Sequence, residues 1–235
     1  MYHLSQTKIL TSIKSLKEAM LVSNKGIDII DFKNPALGTL GALPIDKIKS
    51  CLKVIPSEQL TSATIGDIYD IEEIKKKTFL LSKIEIDFIK IGFFFDEKNF
   101  KNLFNIKKIV KNKKIIAILF ADKKPKLNLI KEIKKINFDG VLIDTQDKEN
   151  GNLRDYLTNS EIKDFVKFSK KENLTIGLAG SLTINDIEPL RKLHPDYLGF
   201  RGALCNSNER KDDICEISLN RVLSKFRSFV FQKAI

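Results

Sequence analysis

Short apolar segments alternate along the chain with longer segments in which apolar residues recur at helical spacing. Lysine-rich amphipathic segments such as SLKEAMLVSNKG and EIKDFVKFSKKEN are typical of surface helices. Eight apolar segments are typical of buried strands: KILTSI from Lys8, DIIDFK from Asp28, QLTSATIGD from Gln59, FIKIGFF from Phe88, IIAILFAD from Ile115, GVLIDT from Gly140, TIGLAGS from Thr175 and YLGFRGAL from Tyr197. Strands that alternate with helices predict an α/β protein whose parallel sheet is buried on both faces.

The number of strands favours a closed barrel over an open doubly wound sheet. A chain of 235 residues suits one TIM barrel, a fold that takes about 250 residues. No Pro- or Ser-rich linker divides the sequence. We therefore expect residues 1–235 to form a single-domain (β/α)8 TIM barrel with parallel strands, closed by a helix over residues 214–231.

The composition excludes several classes of protein. Hydrophobic residues make up 43% of the chain and charged residues 30%, which predicts a full core rather than disorder. No segment reaches the roughly 18 consecutive apolar residues of a membrane span. The N-terminal segment MYHLSQTKIL lacks the pattern of a secretory signal. We expect a cytoplasmic protein without a membrane partner, and the sequence leaves a homo-oligomeric assembly open.

The net charge of +11 raises the alternative of a basic nucleic-acid-binding protein. Of the 41 basic residues, however, only six are arginine and the remaining 35 are lysine, whereas base and phosphate recognition favours the bidentate arginine fork. The lysines also alternate with isoleucine in segments such as NIKKIVKNKK. We therefore expect no nucleic-acid partner, and no lysine-arginine groove with interleaved aromatic rings away from the barrel mouth.

Cysteine and histidine are too few to indicate a metal centre or a disulfide framework. The three cysteines include no CxxC pair, and the two histidines are His3 at the terminus and His194 beside Pro195. Neither a metal nor a cofactor is therefore expected. Because histidine is the usual proton carrier, the chemistry is expected to fall on Lys, Asp, Glu, Tyr or Cys.

Charged residues interrupt several of the apolar strand segments. Asp31 and Lys33 share one face of their strand because side chains alternate, Lys90 lies within an apolar run, and Asp144 lies near a strand end. The carboxyl ends of barrel strands converge on one mouth, so these residues predict a catalytic cluster. Each lysine also has the alternative role of a structural ion-pair partner. Asp67 and Asp122 also end strands, and we expect them to cap the helices that follow.

Small residues follow the last two predicted strands. Gly180 and Ser181 follow the seventh, while Arg201, Gly202 and Ala203 follow the eighth. Barrel enzymes frequently bind phosphate with the loops after these two strands, so this order predicts a phosphate site. The glycines of ALGTLGALP, Gly38 and Gly41, are compatible either with plain turns or with a mobile active-site loop.

The segment DIIDFKNPALGTLGA resembles the (5-formylfuran-3-yl)methyl phosphate synthases of methanogenic archaea and methylotrophic bacteria. The family motif is an aspartate, one residue, Lys-Asn-Pro and a Gly-Ser/Thr-Leu-Gly-Ala loop, and it is present at Asp31, residues 33–35 and residues 38–42. Further matches follow in order up to Arg210: SATIGD, FIKIG, LIDT with Lys148 four residues beyond Asp144, LAGS and RGALC. The resemblance thus covers most of the chain.

The resemblance implies a (β/α)8 barrel that condenses two glyceraldehyde 3-phosphate molecules to a furan-aldehyde phosphate, with loss of phosphate and water, for methanofuran-type cofactors. It implies that Lys33 is the Schiff-base lysine, that Lys90 transfers protons, and that Asp31, Asp144 and Lys148 assist. The segment ILFADKKPKL and the tail after Arg210 depart from the family pattern, which bears on the loops and the site of the second substrate. The alternative enzyme is a class I-type aldolase acting on another small sugar phosphate.

Overall fold

The computed structural model describes residues 7–94, 102–110 and 112–231. Within them, eight parallel strands pair in sequence order and close into a barrel, which confirms the predicted fold. The strands are β1 Lys8–Ile13, β2 Ile29–Phe32, β3 Leu60–Thr64, β4 Phe88–Gly92, β5 Lys114–Phe120, β6 Gly140–Asp144, β7 Thr175–Leu178 and β8 Tyr197–Phe200. Each of them lies within, or within one residue of, an apolar segment that the sequence marks as a strand.

The helices between the strands form the outer layer. Their bounds are α1 Leu16–Val22, α2 Ile45–Leu52, α3 Ile71–Ser82, α4 Ile106–Ile109, α5 Asn128–Lys135, α6 Leu153–Tyr156, α7 Asn159–Lys171, α8 Ile187–Arg191 and α9 Glu216–Phe231. Helix α7 begins with a capping box in which Thr158 and Glu161 satisfy each other's backbone N–H groups. The closing helix starts at Glu216, two residues later than predicted. None of the described helices is long and apolar enough to cross a membrane.

Alternation of side chains along each strand divides the core into two parts. Outward-facing residues such as Ile9, Ile30 and Ile89 pack under the helices in one large cluster. Inward-facing residues such as Leu10, Ile116 and Leu142 fill the barrel with a smaller apolar cluster. Because both strand faces are buried, the strands are almost continuously apolar. The polar exceptions therefore mark the places where the interior is not packed as a core.

The strand-end aspartates have a different role from the one expected. Asp67 does not cap α3, which Asp70 caps instead by accepting from the Glu73 N–H at 2.8 Å. Asp67 accepts hydrogen bonds from the N–H groups of Thr39 and Leu40 at 2.7 and 2.6 Å. Asp122 likewise accepts from the Gln146 N–H at 2.6 Å. The capping prediction is wrong for both residues, because neighbouring loops at the mouth offer unpaired N–H donors that lie closer.

Candidate active site

Asp31 lies at the centre of a buried polar cluster inside the barrel. The register places Ser12 of β1 and Ser62 of β3 on either side of it, and their hydroxyls donate to its carboxylate at 2.9 and 2.6 Å. The ammonium of Lys90 lies 2.6 Å from the same carboxylate. Asp31 has no exposed surface and Lys90 is 3% exposed, so this ion pair is shielded from solvent.

A second cluster joins β2 to β6. Lys33 Nζ lies 3.5 Å from Asp144 Oδ2, and Lys148 pairs with the other oxygen of the same carboxylate. Lys148 also donates to the Thr145 hydroxyl at 3.1 Å. Asp144 therefore faces two ammonium groups, and one of them belongs to Lys148, four positions beyond it on the following loop.

Burial and charge act on these groups in opposite directions. Burial disfavours the charged form of Asp144, but Lys148 and Lys33 outweigh it and hold the pKa of that carboxyl well below its usual range. Burial lowers the pKa of Lys90, with Lys33 adding to the effect and Asp31 opposing it. Burial also lowers the pKa of Lys148 to about 8, against the opposing charge of Asp144. The site thus holds one firmly ionised carboxylate and two lysines that release protons more readily than usual.

Both clusters line one cavity at the mouth, with a volume of about 280 Å³. This is near the lower end of the range for small-molecule sites, about 300–1,000 Å³. Lys33, Lys90, Asp144 and Lys148 all contribute to its wall. The structure therefore brings four of the predicted catalytic side chains together on one cavity, and Asp31 supports one of them from behind.

Residues of the loops after β7 and β8 line the same cavity. Gly180 and Ser181 have positive φ angles of 107° and 50°, and Gly202 and Ala203 open a 3-10 turn. Among the described residues we find no acceptor for the N–H groups of these four. Consecutive unpaired N–H groups in such turns form an anion-binding concavity. The four residues predicted for phosphate thus line one cavity, and phosphate binding by their N–H groups stays a prediction.

Arg201 lines the cavity as well, but its guanidinium is fully engaged. It forms a bidentate pair with the buried Glu18 at 2.7 and 2.9 Å. Its other bonds go to the carbonyl oxygens of Ser12, Arg210 and Asp212. All five N–H donors of an arginine are accounted for in this way. In this arrangement the side chain ties the loop after β8 to α1, and the phosphate role of Arg201 stays a prediction.

The glycine loop after β2 is held over the mouth. Gly38 has a φ of 111°, and a Cβ there would lie 2.3 Å from Asp67 Oδ2, so the position requires glycine. The Thr39 hydroxyl donates to the Gln146 carbonyl at 2.9 Å, and Arg210 Nη2 donates to the Gly38 carbonyl at 2.9 Å. Three loops are thereby linked above the cavity. The sequence marked the glycines, but nothing in its pattern marked Arg210.

One surface groove bears on the expectation about charge. Between α3 and α4, five lysines and Phe79 line a groove of about 820 Å³: Lys75, Lys76, Lys83, Lys108 and Lys113. Lys83 and Lys113 precede β4 and β5, so the groove reaches the end of the barrel away from the mouth. Glu72 also lines the groove and pairs with Lys75 at 2.7 Å, so the groove does not decide the question of a nucleic-acid partner, and that expectation stays a prediction. No arginine is among the described residues that line it, and Lys83 covers the Phe79 ring at 4.5 Å.

Comparison with known proteins identifies relatives over most of the chain. The family model described as 4-HFC-P synthase matches residues 9–223. The (5-formylfuran-3-yl)methyl phosphate synthase of Archaeoglobus fulgidus is 32% identical, covering 86% of this chain and 92% of its own. That of Methanococcus aeolicus is 30% identical over 92% and 98%. The phosphoribosyl anthranilate isomerase of Thermus thermophilus has the same fold, with a TM-score of 0.70 at 12% identity, covering 95% of this chain and all of that one.

Proposed function

Because the chain belongs to the 4-HFC-P synthase family, we propose that it condenses two molecules of glyceraldehyde 3-phosphate to (5-formylfuran-3-yl)methyl phosphate, with loss of phosphate and water, through an imine on Lys33. The two relatives named above carry the name of this product. The observation that carries the proposal is the position of Lys33, whose amine lines the cavity beside Asp144 and a backbone anion site.

The two buried lysines differ in how open they are to a substrate. Lys33 is 8% exposed and lies 3.5 Å from its carboxylate. Lys90 is 3% exposed and is held at 2.6 Å by Asp31, which the two serines fix in place. A nucleophile must leave its partner to attack a carbonyl, whereas a proton carrier acts from a fixed position. This difference supports Lys33 as the nucleophile and Lys90 as the proton carrier.

The proposed reaction uses the amine as an electron sink. Neutral Lys33 attacks the carbonyl carbon of one triose phosphate, and loss of water gives a protonated imine. Removal of an adjacent proton gives an enamine, whose carbon attacks the aldehyde of the second molecule. Elimination of phosphate, ring closure and dehydration then give the furan, and hydrolysis frees the lysine. Lys90, Asp144 and Lys148 surround the reacting atoms and supply the general acids and bases that these steps need.

Reductive trapping tests the proposal. Borohydride added with glyceraldehyde 3-phosphate is expected to leave a mass adduct on the peptide that contains Lys33. Lys33→Arg keeps the charge but is expected to lose both adduct and turnover, because a guanidinium stays protonated. Lys90→Ala is the matched control at the second lysine, with trapping retained and turnover reduced by about 10²–10⁴-fold.

An adduct on Lys90 with none on Lys33 would reverse the two roles. Intact activity without an adduct on any lysine would remove the Schiff-base mechanism. An aldolase that acts on another sugar phosphate would share the lysine and the phosphate site. It is distinguished by the absence of inorganic phosphate release when glyceraldehyde 3-phosphate is the sole substrate.

A further inference from the structure

Two arginines follow β8, and they differ in how their donors are used. Arg201 donates every N–H within the protein. Arg210 also lines the cavity, but within the described ranges its side chain makes one hydrogen bond, from Nη2 to the Gly38 carbonyl. No carboxylate of the described residues lies within ion-pair distance of it. Four of the five donors of Arg210 thus have no hydrogen-bond partner among the described residues.

The charges at the mouth do not balance. Lys90 is matched by Asp31, and Arg201 is matched by Glu18. Asp144 alone faces both Lys33 and Lys148, and Arg210 adds a further positive charge. Lys211, Glu149 and Glu209 also line the cavity, which leaves one positive charge in excess. Arg210 and Lys148 act on each other, since the charge of Arg210 contributes to the lowered pKa of Lys148. An excess positive charge suits a phosphoryl group, which carries about −1.5 to −2 at pH 7.

The side chain of Arg210 begins beside the backbone anion site and reaches the loop after β2. Its Cβ lies 4.0 Å from where a Cβ on Gly202 would be, so its backbone is beside that site. Its guanidinium, however, contacts Gly38 in the loop after β2. The four N–H groups after β7 and β8 suit one phosphoryl group, whereas the proposed reaction brings two triose phosphates to the same cavity.

We propose that Arg210 and Lys148 form a second phosphate subsite, which receives the phosphoryl group of the second triose phosphate. This inference rests on the proposed function. The planar guanidinium offers paired donors that match two phosphate oxygens, while Lys148 supplies a point charge next to Asp144. The bond from Arg210 to Gly38 then places the glycine loop over the occupied subsite.

Titration calorimetry with glycerol 3-phosphate tests the subsite without catalysis, because this molecule carries the phosphate but no carbonyl. The wild type is expected to bind two equivalents. Arg210→Gln is expected to keep the first and to weaken the second by about 10- to 100-fold, the effect of losing a charge-assisted hydrogen bond. Arg210→Lys keeps the charge without the paired donors, and its affinity for the second equivalent is expected to lie between those of the wild type and Arg210→Gln. Arg221→Gln, on an exposed face of α9, is the charge-matched control and is expected to bind like the wild type.

Trapping separates this inference from the proposed function. If both hold, Arg210→Gln forms the Lys33 adduct at wild-type concentrations of triose phosphate but needs about 10- to 100-fold more for furan formation. One equivalent bound by the wild type, or two bound with unchanged affinity by Arg210→Gln, would overturn the subsite. A wild type that makes neither adduct nor furan, but loses one equivalent in Arg210→Gln, would overturn the proposed function and leave the subsite standing.

Discussion

Replacing Asp31 with asparagine tests whether the buried pair with Lys90 governs both stability and chemistry. The substitution keeps the shape of the side chain and one oxygen acceptor for the serines. It removes the carboxylate that lies 2.6 Å from the Lys90 ammonium. Because Asp31 has no exposed surface and Lys90 is 3% exposed, water cannot replace the lost partner.

The expected loss in the free energy of unfolding is about 3–5 kcal/mol at pH 7, the usual effect of leaving a buried charge unpaired. Asp213→Asn is the matched control, because Asp213 is half exposed and pairs with Lys14 and Lys17 at 3.1 and 3.0 Å. An exposed ion pair contributes about 0–1 kcal/mol. The two carboxylates thus differ in burial while both pair with lysine.

The sign of the pH dependence follows from Lys90. Its pKa is already lowered by burial, and Asp31 opposes that shift, so removal of Asp31 lowers the folded-state value further below the unfolded value of about 10.4. The resulting destabilisation is complete below the folded pKa and shrinks as pH rises toward about 10.4. Relative to the wild type, Asp31→Asn should therefore regain stability between pH 7 and pH 9.5.

Denaturant unfolding at both pH values measures these differences. The double variant Asp31→Asn with Lys90→Met removes both charges and is expected to recover most of the stability lost by the single variant. The reasoning fails if Asp31→Asn is as stable as the wild type at pH 7. It also fails if the double variant is no more stable than the single one.

Three further predictions concern the rest of the site and the surface. The pKa of Lys148 is lowered to about 8, so if its ammonium donates a proton, kcat should fall above about pH 8. Lys148→Arg should shift this alkaline decrease in kcat to higher pH, and a decrease at an unchanged pH would exclude the role. Gly202→Val would place its Cβ 2.9 Å from the Asn208 carbonyl oxygen and its methyl groups near the N–H donors. KM for the sugar phosphate should therefore rise in a folded variant, and an unchanged KM would argue against this phosphate site. The lysine groove between α3 and α4 should bind neither RNA nor DNA at about 0.15 M salt, and a salt-dependent shift that Lys83→Gln weakens would establish the nucleic-acid alternative.

The fold was predictable because parallel strands buried on both faces appear in the sequence as short, almost continuously apolar segments. Every apolar segment from KILTSI to YLGFRGAL contains the strand expected of it to within one residue. Inward-facing Asp31, Lys90 and Asp144 stand out because few other polar residues occur in those segments. Alternation and strand order were therefore enough to place the catalytic candidates at one mouth.

The contacts made by loops were not predictable in the same way. Which N–H groups donate to Asp67, or which carboxylate engages Arg201, depends on how separate loops approach each other across the mouth. Glu18 lies in an amphipathic helix where its exposure would be expected, yet it is 1% exposed and pairs with Arg201. Sequence spacing carries no information about such contacts, so nothing in the sequence marked Arg210 or predicted the pair between Arg201 and Glu18.

The placement of charge itself argues for chemistry rather than stability. Buried ion pairs contribute little net stability compared with apolar residues of similar volume, and this chain has ample isoleucine and leucine for its core. Yet four charged side chains lie inside the barrel, each at most 8% exposed: Asp31, Lys33, Lys90 and Asp144. Nearly all of the other lysines described lie at the surface. A replacement without charge, such as Asp31→Asn with Lys90→Met, should therefore approach or exceed the wild type in stability while losing turnover. That outcome would identify the pair as an arrangement kept for its reactivity, in line with the general conflict between stability and activity at such sites.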